Sequence, residues 1–149
     1  MPFVETIVSL LFQNLVSASS NAVIGHHHSP HHSLITDKAA LLEFKKTIVY
    51  DPYSMLATWK EATDVCNFTG VSCNTQHHRV TDLILQDYPL AGRLSPIVSN
   101  LTGLCNLVLV GNHFYGTIPA EIALLRRLHH LLLEGNNFHG SVADSLALP

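Results

Sequence analysis

Charged side chains are scarce in this sequence: lysine and arginine number 8, aspartate and glutamate 11, together 13% of 149 residues. No basic run is longer than the pairs Lys45-Lys46 and Arg126-Arg127, so the electrostatic footprint of a nucleic-acid binder is missing. Cysteine is scarce too. Cys66, Cys73 and Cys105 are the only ones, and none forms a CxxC pair, which argues against a zinc knuckle or a thioredoxin-type redox motif. Apolar runs stay short of the ~20 residues that cross a bilayer, so no membrane anchor is expected within this chain. A phosphate loop, a Ser-His-Asp motif and a set of metal-ligand spacings are likewise missing. Neither catalysis nor a cofactor nor a metal ion is therefore expected. With 47% hydrophobic residues, the chain has enough apolar surface to fold.

Histidine is abundant instead. The formal charge is −3, and protonating all 11 histidines would turn it to +8, reversing the sign of the molecule in a mildly acidic compartment. Several cluster in the low-complexity tract His26–Ser33, inside a stretch (19–35) that reads as a flexible linker. Metal binding is the competing reading of the tract, but no carboxylate or cysteine stands nearby to complete a site. Ahead of it, Ile7–Val16 is a short apolar run followed by Val16-Ser17-Ala18, a small-residue pattern suited to signal cleavage. Residues 1–18 thus read as a cleaved signal. The start lacks Lys and Arg, and Gln13-Asn14 interrupts the run, so a degenerate start is the other reading.

Three zones follow. From Thr36 to Tyr50 the apolar residues Ala40, Leu41, Phe44 and Ile48 fall at helical spacing, with Thr36 or Asp37 as N-cap and Asp51-Pro52 as the stop. Next, Cys66 and Cys73 are seven residues apart. In an exported chain they read as a disulfide closing a small loop, worth about 2.5 kcal/mol by chain-closure entropy. Cys105 is left over as a packed thiol. The third zone repeats at a step of 24: Leu83, Leu107 and Leu131 align, as do Leu85, Leu109 and Leu133, then Leu90, Phe114 and Phe138, then Gly92, Gly116 and Gly140. Each copy fits L-x-x-L-x-L-x-x-N-x-L. One reads Leu104, Leu107, Leu109, Asn112, Phe114; the next Leu128, Leu131, Leu133, Asn136, Phe138; the first has Tyr88 in the asparagine place. The alternation of Leu107 and Leu109 implies a short strand in every copy. Asn112 and Asn136 should turn inward to serve the backbone where that strand ends, and Ile118, Ile122, Leu125 and Leu128 should close the outer wall.

The segments Asp37–Trp59, Cys66-Asn-Phe-Thr-Gly-Val-Ser-Cys73 and Phe114-Tyr-Gly-Thr-Ile-Pro119 resemble the plant-type leucine-rich-repeat family, over about 36 to 149. Phe68 stands where that family carries tryptophan, and Leu94-Ser-Pro96 and Val142-Ala143 depart from its Ile-Pro. The resemblance is strongest to the start of receptor-like kinase or receptor-like protein ectodomains. It implies an α/β repeat solenoid, a right-handed superhelix with short parallel strands on its concave side. A helical, disulfide-bonded N-terminal cap (36–78) would precede about three repeats (79–149), the last truncated at Pro149. The implied function is extracellular recognition of a protein or peptide ligand or a co-receptor, either secreted or on the outer face of the plasma membrane. A small secreted inhibitor of cell-wall enzymes and a truncated, non-functional product are the alternatives. A truncated third copy would be marginally stable and prone to aggregate.

Two sequons occur, Asn67-Phe-Thr69 and Asn100-Leu-Thr102; each is a glycosylation site or an ordinary surface asparagine. The outward positions of the strands, Ile84, Gln86, Val108, Val110, His130, Leu132 and Glu134, form the candidate binding face, with an apolar Val108–Leu132 strip at its centre.

Overall fold

The structure, a computed structural model, describes residues 30–140, with side chains from Leu34 onward. The expected signal at 1–18, His26–Ser29 of the histidine tract, and residues 141–149 of the third copy lie outside the described residues.

Helix α1 spans Pro30–Lys46. It begins six residues ahead of Thr36, and Pro30 suits that start because a missing N–H and a fixed φ are tolerated in a first helical turn. The stripe Ala40, Leu41 and Phe44 is buried. Ile48 is not part of it. At Thr47 the N–H and the hydroxyl both bond the Phe44 carbonyl, at 2.9 and 2.7 Å, and the same hydroxyl reaches the Arg93 carbonyl at 2.9 Å. The β-branched and aromatic run Ile48–Tyr50 then forms strand β1, the conformation such residues favour. Asp51 therefore does not stop a helix but shapes the next turn. Its carboxylate accepts the N–H groups of Met55 and Leu56 at 2.8 and 3.0 Å.

Asp37 is not an N-cap either. It is fully buried, and Arg79 Nε and Nη2 donate to its two oxygens at 3.0 and 2.8 Å. The Val80 N–H donates to it as well, at 2.9 Å. A carboxylate taken out of water needs this full set of donors. The triad fixes α1 against the strand that opens the first repeat.

Two sheets form the coil. One has the order β2-β3-β5-β7, where β2 is Val71–Asn74, β3 Arg79–Ile84, β5 Asn106–Val108 and β7 His130–Leu132. Strands β3, β5 and β7 are parallel with Leu83, Leu107 and Leu131 in register, which is the 24-residue step made physical. The other has the order β1-β4-β6-β8, with β4 at Ala91–Arg93, β6 at His113–Gly116 and β8 at Asn137–Phe138. Each sheet is closed on the cap side by an antiparallel strand, β2 or β1. Short 3-10 turns at Pro96–Asn100 and Ala120–Leu124 form the outer wall, and Ile118, Ile122, Leu125 and Leu128 are buried behind it.

The core runs along the stack instead of around a centre. Phe68 stacks on Trp59 at 5.5 Å, Trp59 lies tilted against Phe44 at 6.4 Å, and Phe44 stacks on Phe114 at 6.2 Å. Phe138 continues the line 6.3 Å beyond Phe114. Phe68, standing in the tryptophan place, thus loses no burial; Trp59 supplies the indole and donates its N–H to the Thr69 carbonyl at 2.9 Å.

The aligned glycines turn out to serve two purposes. Gly116 and Gly140 have φ of 85° and 84°. Gly92 has an ordinary φ, but a Cβ on it would lie 2.3 Å from the Thr47 carbonyl oxygen and 2.9 Å from Ile48 Cα. It is the bare spot on which β1 rests. Gly92→Ala should cost about 2–3 kcal/mol, because backbone and not a side chain must give way. Gly116→Ala meets nothing closer than 3.4 Å and should cost about 1–2 kcal/mol from the left-handed φ alone. Urea melts of the two variants check the order, and equal costs would contradict the packing role of Gly92.

Candidate functional site

The outward residues of β3, β5 and β7 lie in two columns across the strands, with a third just past the strand ends, because each column repeats at the step of 24. In the first, the Asn106 Nδ2 donates to Asp82 Oδ1 and the Asn106 Oδ1 faces His130 Nδ1 at 2.6 Å. The Thr81 hydroxyl donates to Asp82 Oδ2 at 3.0 Å. The second column is Ile84, Val108 and Leu132. Ile84 is 42% exposed, while Val108 is only 8% exposed and Leu132 is half-buried. The expected Val108–Leu132 strip is corrected here: the middle side chain is covered by its neighbours in register, so Ile84 and Leu132 carry the accessible apolar surface. The third column is Gln86, Val110 and Glu134, of which only Val110 is partly covered.

Asn112 is 2% exposed. Its Nδ2 donates to the carbonyls of Leu85, Leu109 and Val110 at 2.5, 3.0 and 3.3 Å. Its Oδ1 accepts the N–H groups of Tyr88 and Leu90 at 3.2 and 3.0 Å. Asn136 repeats the pattern one coil later, donating to Leu109 and Leu133 at 2.7 and 3.0 Å and accepting from Phe114 at 2.9 Å. Each asparagine thus serves the coil before its own as well as its own. That explains how the first coil manages with Tyr88: Asn112 supplies its turn.

Cys66 and Cys73 are bonded, with Cα atoms 5.5 Å apart. Cys105 is unpaired and half-buried, its sulfur 3.5 Å from the Gly103 carbonyl. Asn67 and Asn100 are both exposed, in the 3-10 turn of the cap and at the end of the outer-wall turn respectively. The sequons differ in the freedom of their threonines. Thr69 is tied to Thr58 through both its hydroxyl and its N–H, at 2.9 and 2.8 Å.

Among the described residues no group of three or more His, Cys, Asp or Glu could hold a metal ion, and no helix is long and apolar enough to cross a membrane. Sequence reasoning had picked out His130 but not Asp82 or Asn106. The signal was present, since residues 82, 106 and 130 form one column of the 24-residue alignment.

Parallel strands in register at each 24-residue step, an asparagine ladder between coils and a disulfide-closed helical cap together define a leucine-rich-repeat solenoid. Residues 34–74 match the leucine rich repeat N-terminal domain family. Over this stretch and the repeats that follow, the chain is similar to plant leucine-rich-repeat receptor proteins. It is 43% identical over 86 residues to a putative receptor-like protein kinase of Arabidopsis thaliana, an alignment covering 58% of this chain and 8% of that protein. The fold is similar to the crystal structure of the BIR2 ectodomain from Arabidopsis thaliana, with a TM-score of 0.67 and 33% identity over 74% of this chain and 60% of that one. It is also similar to the Arabidopsis receptor kinase HAESA ectodomain in complex with an N-terminally extended IDA peptide hormone ligand, with a TM-score of 0.63 and 29% identity. That alignment covers 72% of this chain and 18% of HAESA. The chain therefore spans less than a tenth of the curated kinase and under two thirds of either solved chain.

Proposed function

We propose that this chain is the opening recognition segment of an extracellular receptor-like protein, and that its concave sheet binds a peptide or protein partner without catalysis. The observation that carries this reading is the concave face itself. Accessible apolar side chains, Ile84 and Leu132, lie beside a hydrogen-bonded polar column held by three parallel strands. A rigid sheet of this kind presents fixed groups at little entropic cost to binding. The Cys66–Cys73 bond supports a place outside the reducing cytosol, and the solved relatives named as ectodomains point the same way.

Peptides selected from a random display library against the secreted chain provide the test. The double variant Ile84→Asp/Leu132→Asp changes the face and leaves the buried leucines untouched. Selected peptides should lose binding to it by about tenfold or more, as expected when central apolar contacts are removed. Undiminished binding to a variant with an unchanged melt would overturn the proposal.

Export makes a separate prediction about modification. Asn100 stands on the outer wall, where a glycan is directed away from both sheets, whereas Asn67 lies in the small disulfide loop and its sequon threonine is engaged. In a plant secretory system the protein should carry a glycan at Asn100, removed by Asn100→Gln as one downward step on a gel. If the mass of the secreted protein is the same with and without Asn100, the site is unused.

A further inference from the structure

We infer that the concave face selects a ligand rich in hydrogen-bond donors, a peptide carrying arginine or lysine beside an apolar side chain; this rests on the concave-face reading above. The hydrogen bonds of the first column run in one direction. Asp82 Oδ1 can only accept from Asn106 Nδ2. That fixes the Asn106 amide, so its Oδ1 faces His130 and must be given a proton by Nδ1, 2.6 Å away. A neutral imidazole with its proton on Nδ1 has only a lone pair on Nε2. The column is therefore a one-way chain running from His130 to Asp82, and its outward end is an acceptor.

The rest of the face has the same character. Asp82 keeps a second carboxylate oxygen, shared only with the Thr81 hydroxyl, and Glu134 is exposed two residues beyond β7. Across the outward positions of β3, β5 and β7, and on β2, stands no lysine or arginine that could answer these acids. Arg79, the one cation in β3, is committed to Asp37. The face thus offers acceptors and negative charge around the apolar pair Ile84 and Leu132, which complements a cationic, donor-bearing partner and disfavours an acidic one.

Two measurements on the full chain test this. At a pH of about 8, the imidazole nitrogen spectrum should show His130 with Nε2 unprotonated. The signal is assigned by its loss in His130→Gln, and it should move towards the other tautomer in Asn106→Ala. An Nε2-protonated His130 would overturn the inference. For binding, two labelled probes are compared, blocked tetrapeptides of sequence Arg-Leu-Leu-Arg and Glu-Leu-Leu-Glu. The arginine probe should bind about tenfold tighter, the combined effect of two exposed charge pairs, and should shift the amide signals of Asn106, Val108 and Leu132. Glu134→Gln, a solvent-facing change that leaves the core intact, should remove several-fold of that preference. Equal or reversed preference with shifts on the same residues would sink the donor chemistry and leave the concave face as the binding surface. Shifts confined to another surface, such as the exposed Val49, Tyr50 and Tyr53, would sink both. Binding by neither probe would count against the donor chemistry alone, because the selected library peptides then decide the face.

Discussion

Asp37→Ala should lower the free energy of unfolding by about 3–5 kcal/mol, the range observed when one member of a buried ion pair is removed. The change strips Arg79 of both its carboxylate bonds and leaves the Val80 N–H without its acceptor. Asp37→Asn should recover only part of the loss, since an amide keeps one acceptor but brings two donors to face a guanidinium. The paired replacement Asp37→Leu/Arg79→Met should come close to the parent, because the cost lies in the orphaned charge more than in the lost attraction. Denaturant titrations of the four proteins give the comparison. A cost below about 1 kcal/mol for Asp37→Ala, the range of an exposed pair, would show that the triad does not hold α1 to the first repeat.

Asn112→Ala should be of similar size, about 3–5 kcal/mol, and larger than Asn136→Ala. Removing the Asn112 amide leaves two N–H groups and the carbonyls of Leu85 and Leu109 facing a buried gap, and each such orphan costs about 1–3 kcal/mol where water cannot reach it. Asn136 makes the same kinds of bond but is only half-buried, so solvent can replace part of what is lost. Asn112→Asp should be no rescue, since a carboxylate has no donor to offer three carbonyls. Thermal melts rank the variants. If Asn136→Ala proved the more damaging, the account of burial as the deciding factor would fail.

The leucine columns and the asparagines were legible because they obey a period, and a period can be read without knowing what touches what. Leu83, Leu107 and Leu131 sit where the 24-residue step placed them, and Asn112 and Asn136 turn inward as the motif required. The misreadings all concern contacts across a distance in sequence. Asp37 looked like a helix cap because its only visible neighbours were local, while its partner Arg79 stands 42 residues away. Ile48 fitted the helical stripe, yet Thr47 and the bare surface of Gly92 drew it into a sheet. That second sheet, β1-β4-β6-β8, was unmarked because its strands are only two to four residues long, too short for a period of two to stand out. Val108 looked like a surface residue from its parity, and only the register with Ile84 and Leu132 shows how a middle strand is covered. The polar column was missed for a different reason: aspartate, asparagine and histidine share no residue type, so their common spacing did not register as a pattern.

The cap closes both sheets on the same side with antiparallel strands, while every later coil joins its neighbour in parallel and lends its asparagine backward. In evolutionary terms the molecule has one fixed origin and a repeat number free to drift. An in-frame duplication of a single coil leaves α1, the Asp37–Arg79 lock and the disulfide undisturbed, and the inserted coil arrives with the asparagine that its predecessor needs. Descendants of such a gene can therefore differ widely in length and in the surface they present while inheriting nearly the same opening.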